Sequence, residues 1–167
     1  MAGYAFSLDN KLVIVTGASS GIGRQCAVTC SRAGARVILM GRDQDRLEET
    51  LGMMENTGQH MLCAVDLLEY DKVAAKVKEI VEAKGALSGL INCAGISTTL
   101  PLNAVSPARM EEFFRTNVAG AVNLTKHAVK LAHFSEEGGS IVFISSVMGV
   151  AGENGKTLYS MTKGALI

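Results

Sequence analysis

The segment Leu12-Val-Ile-Val-Thr-Gly-Ala-Ser-Ser-Gly-Ile-Gly23 restricts this chain to few architectures, because an apolar run without polar alternation feeds directly into a glycine-rich turn. A strand with no polar alternation is buried on both faces, the situation of a central strand in a parallel sheet with helices on either side. The turn and the helix after it suit a ligand. Gly17, Gly21 and Gly23 let the main chain approach a pyrophosphate, and the helix N-terminus offers free amides. A tight strand-to-helix turn holding nothing is the alternative reading.

Short β-branched runs alternate with longer stretches of helical period, which predicts βαβ units rather than hairpins. Strands are expected at 11–16, 36–40, 60–65, 89–93 and 140–145. Helices are expected at 21–33, 43–56, 69–84, 107–134 with a break near Glu112, and from Thr157 onward. The expected fold class is α/β, a Rossmann-type doubly wound parallel sheet of strand order 3-2-1-4-5, with ligand outside the carboxyl ends where the order reverses. No internal repeat or Pro/Ser-rich linker divides the 167 residues, so a single domain over 1–167 with a substantial core is expected. Two loops, 96–106 and 147–156, come after the fourth and fifth strands at that same edge, where a substrate would lie.

Charge and length exclude several functions. The 16 basic residues balance 16 acidic ones, so no net field draws the chain to nucleic acid or an anionic membrane, and neither partner is expected. The longest apolar runs, 12–15 and 37–40, are too short to span a bilayer, and no basic stretch leading into an apolar region opens the chain; a cytoplasmic location is expected. Cys26, Cys30, Cys63 and Cys93 show no disulfide-framework spacing, which suits a reducing compartment. Cys26 and Cys30 could share a metal from one helix face, but no second Cys or His pair accompanies them, so packing is expected and no metal site.

Tyr159-Ser-Met-Thr-Lys163 places a phenol and an ammonium about one turn apart on one helix face. A free phenol with pKa near 10 costs about 4 kcal/mol to ionise at neutrality. A cation about 5 Å away at an effective dielectric near 20 returns roughly 3 kcal/mol, so such a pair suits proton transfer to or from a carbonyl oxygen. Ser145 and Ser146 end the fifth strand and add hydroxyls nearby.

The spacing Gly-x3-Gly-x-Gly at 17–23, Asn92-Cys-Ala-Gly95, Phe114-Arg-Thr-Asn-Val-Ala-Gly120, and Tyr159-x3-Lys163 with a serine thirteen residues earlier resemble, in that order, the short-chain dehydrogenase/reductase (SDR) family over residues 8–167. The resemblance implies a nicotinamide-dependent oxidoreductase acting on a small-molecule carbonyl or alcohol. It implies catalytic roles for Asn117, Ser146, Tyr159 and Lys163, and the thirteen-residue spacing selects Ser146 over Ser145. Tyr159 would be the general acid in reduction and the base in oxidation, with Ser146 on the substrate oxygen. Lys163 would also hold the nicotinamide ribose. Asn117 would bend its helix and order a water that links Lys163 to solvent, although an exposed helical asparagine is the alternative.

For the cofactor, the resemblance implies Gly17, Ser19, Ser20, Gly21, Ile22 and Gly23 around the pyrophosphate and Asp66 with Leu67 at adenine. Asn92, Ala94 and Gly95 would lie beside the ribose, joined by Tyr159 and Lys163. Asp66-Leu-Leu-Glu69 also reads as a capping box. Met40-Gly-Arg-Asp43 lacks a strand-end carboxylate for the ribose 2′-hydroxyl and offers Arg42 to a 2′-phosphate instead, so NADP(H) is expected and NAD(H) stays open. The alternative is a solvated Arg42 ahead of a helix capped by Asp43. Cys93 stands where the family has a second asparagine, so sheet-stabilising contacts would be lost there.

Family members continue well past the Tyr-x3-Lys helix. By that resemblance the chain is C-terminally truncated and lacks the family's last strands, which would leave 141–144 as an open apolar edge and weaken cofactor binding and turnover. At full length a homodimer or homotetramer is implied, formed by the helices beginning near Pro107 and Thr157, with Ala119, Val122, Ala128 and Leu131 as its apolar stripe. The loop segments 96–100 and 147–150 suggest a moderately apolar substrate. A 3-oxoacyl-acyl-carrier-protein reductase is one alternative, disfavoured by the acidic run at 134–139. A nucleotide-binding module without turnover is another.

Overall fold

In the computed structural model, which describes residues 6–167, β1 (Leu12–Thr16) is the central strand of a five-stranded parallel sheet. It lies between β2 (Arg36–Gly41) and β4 (Gly89–Asn92), with β3 (Met61–Ala64) and β5 (Ser140–Phe143) outermost. The order β3-β2-β1-β4-β5 matches the expectation, and the reversal falls between β1 and β4. The unbroken apolar run of β1 now has its cause. Leu12 and Ile14 pack with Ile38, Met40 and Leu90 in one core, while Val13 and Val15 pack with Val37 and Leu39 in the other. Each such buried side chain contributes about 1.5–3 kcal/mol.

Helices cover both faces. α1 (Gly21–Arg32) and α2 (Gln44–Leu51) supply Ala27, Val28 and Leu47 to the second core; α3 (Tyr70–Lys84) and α5 (Gly120–Ala128) supply Val73, Val77, Ile80 and Leu124 to the first. Asp43 caps α2 by accepting from the Arg46 amide at 3.1 Å. Ser106 caps α4 (Pro107–Phe114), with Pro107 at its first position, where a missing N–H costs nothing. α6 (Thr157–Gly164) carries Tyr159 and Lys163.

Several expected boundaries move. The helix expected over 107–134 is α4, a π-helical turn at Arg115–Ala119, and α5, which stops at Ala128. The break thus lies after Glu112, at the turn containing Asn117, whose side chain is bonded to other segments. Beyond α5 the chain turns back to the sheet, where the Leu87 amide donates to His133 O at 2.7 Å and the Ser135 amide to Leu87 O at 2.8 Å. α2 ends five residues early, before Asn56 adopts a left-handed φ of 53°. β3 excludes His60, whose Nδ1 instead accepts from the Val37 amide at 3.1 Å. The expected apolar stripe is not one: Ala128 is fully buried in the core and Leu131 lies beyond α5. No helix among the described residues is long and apolar enough to cross a membrane.

β5 differs from β1 in exposure. It pairs only with β4 among the described residues, and Ile141 and Val142, on opposite faces, remain 38% and 41% exposed. An apolar edge strand with free backbone groups recruits other strands. Val142→Lys should therefore narrow the particle-size distribution in light scattering with little change in thermal midpoint. Self-association identical to wild type would show that this edge does not drive it.

Candidate active site

Gly17, with φ 64°, turns the chain out of β1, and a Cβ there would sit 3.0 Å from Ala94 Cα on the neighbouring strand end. At Gly23 a Cβ would fall 2.3 Å from Gly17 O, so the first turn of α1 can lie against the strand turn only without a side chain. Ser20 occupies the N-cap of α1 yet makes no side-chain capping bond, which leaves the first amides of the helix open to an anion. Arg24 braces the turn from behind, donating to Ser19 O at 2.7 Å and Thr50 Oγ1 at 2.9 Å.

Above this turn lies a cavity of about 400 Å³. All six expected turn residues, Gly17, Ser19, Ser20, Gly21, Ile22 and Gly23, line it; so do Arg42, Asp66, Leu67, Ala94 and Gly95. Asn92 does not. It is buried beneath the wall, donating to Thr125 Oγ1 at 3.3 Å on α5. Arg42 is largely exposed, its Nη1 3.8 Å from Asp66 Oδ2, a pairing that contributes about 0–1 kcal/mol and yields readily to a ligand. The other Asp66 oxygen accepts from the Leu68 amide at 2.9 Å. The capping box does not form: α3 starts after Glu69, which makes no capping bond and pairs with Lys72 at 2.6 Å instead.

Arg46 and Thr16 escaped the sequence reading, as did the place of Cys93 in the cavity wall. Arg46 lines the cavity from the first turn of α2, four residues after Arg42. Thr16 Oγ1 accepts from the amides of both Cys93 and Ala94 at 3.0 Å, tying β1 to the end of β4 where loss of contacts was expected from Cys93. Nothing in one chain distinguishes this threonine from any other strand residue. Cys93 itself lines the cavity, and burial pushes its thiol up to about 12, with the neighbouring Cys26 adding to the shift, which disfavours the thiolate. Among the described residues no group of three or more His, Cys, Asp or Glu could hold a metal.

The second set of side chains gathers at the ends of β4 and β5. Asn117 is fully buried: Oδ1 accepts from the Ile96 amide at 2.7 Å, and Nδ2 donates to Ile96 O at 3.0 Å and Thr162 Oγ1 at 2.9 Å. Ser146 Oγ accepts from the Met148 amide at 3.2 Å and keeps its proton for another acceptor. Ser145 faces α6 instead, donating to Lys163 O at 2.6 Å. Lys163 Nζ donates to Ile144 O at 2.5 Å and lies 5.8 Å from the Tyr159 ring centre. The cavity and this cluster meet at Gly95, where a Cβ would approach Asn117 Oδ1 to 3.1 Å and Lys163 Nζ to 3.8 Å. Burial holds the Lys163 ammonium below its usual 10.5, opposed by Cys93.

The uncapped N-terminus of α1 and the cavity over it thus lie beside Gly95, next to Lys163 on the helix that also carries Tyr159. The sequence model of the family described as short chain dehydrogenase matches residues 11–167. The chain belongs to the short-chain dehydrogenase family. Dehydrogenase/reductase SDR family member 7B of Danio rerio is 35% identical over 96% of this chain and 54% of its own length; 3-dehydrosphinganine reductase of the same species is 34% identical over 95% and 49%. The chain thus spans about half the length of these short-chain dehydrogenase relatives. Among solved structures, a citronellol catabolism dehydrogenase of Pseudomonas aeruginosa PAO1 superposes with a TM-score of 0.85 at 32% identity, covering 96% of this chain and 66% of that one. A short-chain dehydrogenase/reductase from Brucella melitensis described as a glucose/ribitol dehydrogenase gives 0.88 at 28%, again covering 96% and 66%.

The buried Lys163 ammonium makes stability depend on pH. Because burial places the folded pKa of Lys163 below its unfolded value, the folded state is penalised while the group is protonated in both states. Wild-type stability should therefore rise, relative to Lys163→Met, as pH climbs through the lowered folded pKa toward 10.5. At neutral pH the Met variant should be at least as stable as wild type but bind nicotinamide cofactor more weakly. Denaturant titrations at neutral and alkaline pH, with nucleotide fluorescence, read both effects. A stability difference independent of pH would remove burial as the cause.

Proposed function

We propose that the protein transfers hydride between NADP(H) and a small carbonyl or alcohol substrate. The observation that carries this reading is Gly95, which lines the cavity over the uncapped α1 terminus and packs beside Asn117 and Lys163. The cofactor, when bound, supplies or accepts the hydride. The chain's own residues do the rest. The open amides of α1 and the turn at 17–23 hold the pyrophosphate, and Asp66 and Leu67 hold the adenine. Ala94 and Gly95 leave space beside the ribose. Tyr159 gives its phenolic proton to the carbonyl oxygen in reduction and takes it back in oxidation. Ser146, whose hydroxyl proton is uncommitted, steadies that oxygen as negative charge develops. The Lys163 ammonium, 5.8 Å from the Tyr159 ring centre, reaches the ribose, and Asn117 orders the turn beside it.

The relatives' names range from 3-dehydrosphinganine reductase to glucose and ribitol dehydrogenase homolog 2, so long-chain ketones and polyols both belong in a substrate panel. Assembly into dimers or tetramers is supported by exposed apolar side chains on Val122, Met110 and Met161.

Tyr159→Phe removes only the proton-carrying oxygen, so turnover should be lost with nucleotide affinity nearly intact. Cofactor oxidation with the ketone panel measures this, and a variant that keeps most of the wild-type rate would refute the assignment. Nucleotide binding without turnover in wild type would indicate a binding module instead. Arg42→Ala should weaken NADPH more than NADH by about 1.5–3 kcal/mol, the worth of one charge-assisted hydrogen bond. Equal losses for both nucleotides in fluorescence titrations would exclude a 2′-phosphate contact.

A further inference from the structure

Thr162 stands between Tyr159 and Lys163 in sequence, has no role in the chemistry above, and is nonetheless a fully buried polar side chain. Its hydroxyl accepts from Asn117 Nδ2 at 2.9 Å and donates to Tyr159 O at 2.9 Å. Asn117 uses its remaining capacity on Ile96, accepting from the amide at 2.7 Å and donating to the carbonyl at 3.0 Å. One carboxamide therefore joins three segments: the π-helical turn, the loop after β4, and α6. Thr162 is the α6 end of that junction.

The wiring dictates the residue type. The position needs a hydroxyl, because one group must accept the amide proton and donate its own to a carbonyl three residues back. An apolar side chain of the same shape would leave the Asn117 N–H short of a buried acceptor. Helix geometry fixes the distance between Tyr159 and Lys163 but not where that turn stands relative to the cavity. Two bonds anchor the turn from different segments. Ser145 holds Lys163 O from the end of β5, and Thr162 holds the Tyr159 turn from Asn117 and, through it, from Ile96 beside Gly95.

We infer that Thr162 is a positioning residue for the Tyr159–Lys163 pair, acting through Asn117 to set where the phenol meets the substrate oxygen. The inference rests on the function proposed above. Displacing a proton donor by a fraction of an ångström slows the chemical step while leaving binding nearly untouched, a separation that loss of packing alone does not produce.

The test compares Thr162→Val, which keeps the shape, with Thr162→Ser, which keeps the hydroxyl. It measures kcat and KM for a ketone that wild type reduces, NADPH affinity by nucleotide fluorescence, and thermal midpoint. The expected result is a fall in kcat of about 10–100-fold for the Val variant, with KM and NADPH affinity within about threefold, and rescue by Ser to within about threefold of wild type. Wild-type kcat in the Val variant overturns the inference, as does a Ser variant equally slow, or NADPH affinity falling in step with kcat. Should the Val variant not fold, Thr162→Ala is judged by the same criteria; if neither folds while Ser does, Thr162 holds the fold rather than the site and the inference fails. A wild type that binds NADPH and reduces no ketone overturns the proposed function and this inference with it, whereas wild-type turnover with an unimpaired Val variant overturns this inference alone.

Discussion

The junction between the ends of β1 and β4 is the contact on which the rest of the site depends. There the strand order reverses, so the chain leaving β1 enters α1 on one face while the chain leaving β4 runs toward the other, and a crevice opens between them. Thr16 closes the floor by accepting the Cys93 and Ala94 amides, and Gly17 permits the close approach to Ala94. Without that joint the open end of α1 would not face Gly95, and the cavity would have no wall on the β4 side.

Beyond the crevice the protein buries groups that a core ordinarily excludes. Asn117, Thr162 and Lys163 lie together at the end of the sheet, each hydrogen-bonded, and the ammonium is held below its usual pKa by burial. The π-helical turn at Arg115–Ala119 is what allows Asn117 to face both Ile96 and α6, since a regular helix would rotate the side chain elsewhere. Of the three, the Lys163 ammonium bears the desolvation cost, since its pKa falls on burial.

The two halves of the sheet are unequally covered. β2 and β1 are enclosed on both faces, whereas β5 presents half-exposed Ile141 and Val142 and pairs on one side only among the described residues. Yet Ser145, Ser146 and Lys163 all converge on the end of β5. The Ser146–Lys163 cluster thus rests on the less enclosed half of the sheet, while the cavity over α1 rests on the better enclosed one.

Local chemistry made much of this legible in advance. The unalternating apolar run of β1, the glycine spacing, and the Tyr159–Lys163 turn each express a short-range rule, and from them came the elements and the glycine turn, while Asp66, Leu67, Ala94 and Gly95 came from the resemblance to the family. What failed depended on partners distant in sequence. The break expected near Glu112 moved to 115–119, where Asn117 bonds to Ile96 and Thr162, and the helix stopped at Ala128, before residues 133–135 pair with Leu87. Asn92 turned away from the cavity toward Thr125, and Asp66 took Arg42 and Leu68 in place of a helix cap. The sequence by itself determined which elements form and which residue types can do the chemistry, because propensity and periodicity act over a few residues. Only the tertiary structure decided which polar groups answer one another, because a buried donor's partner is set by the folding together of segments far apart in the chain.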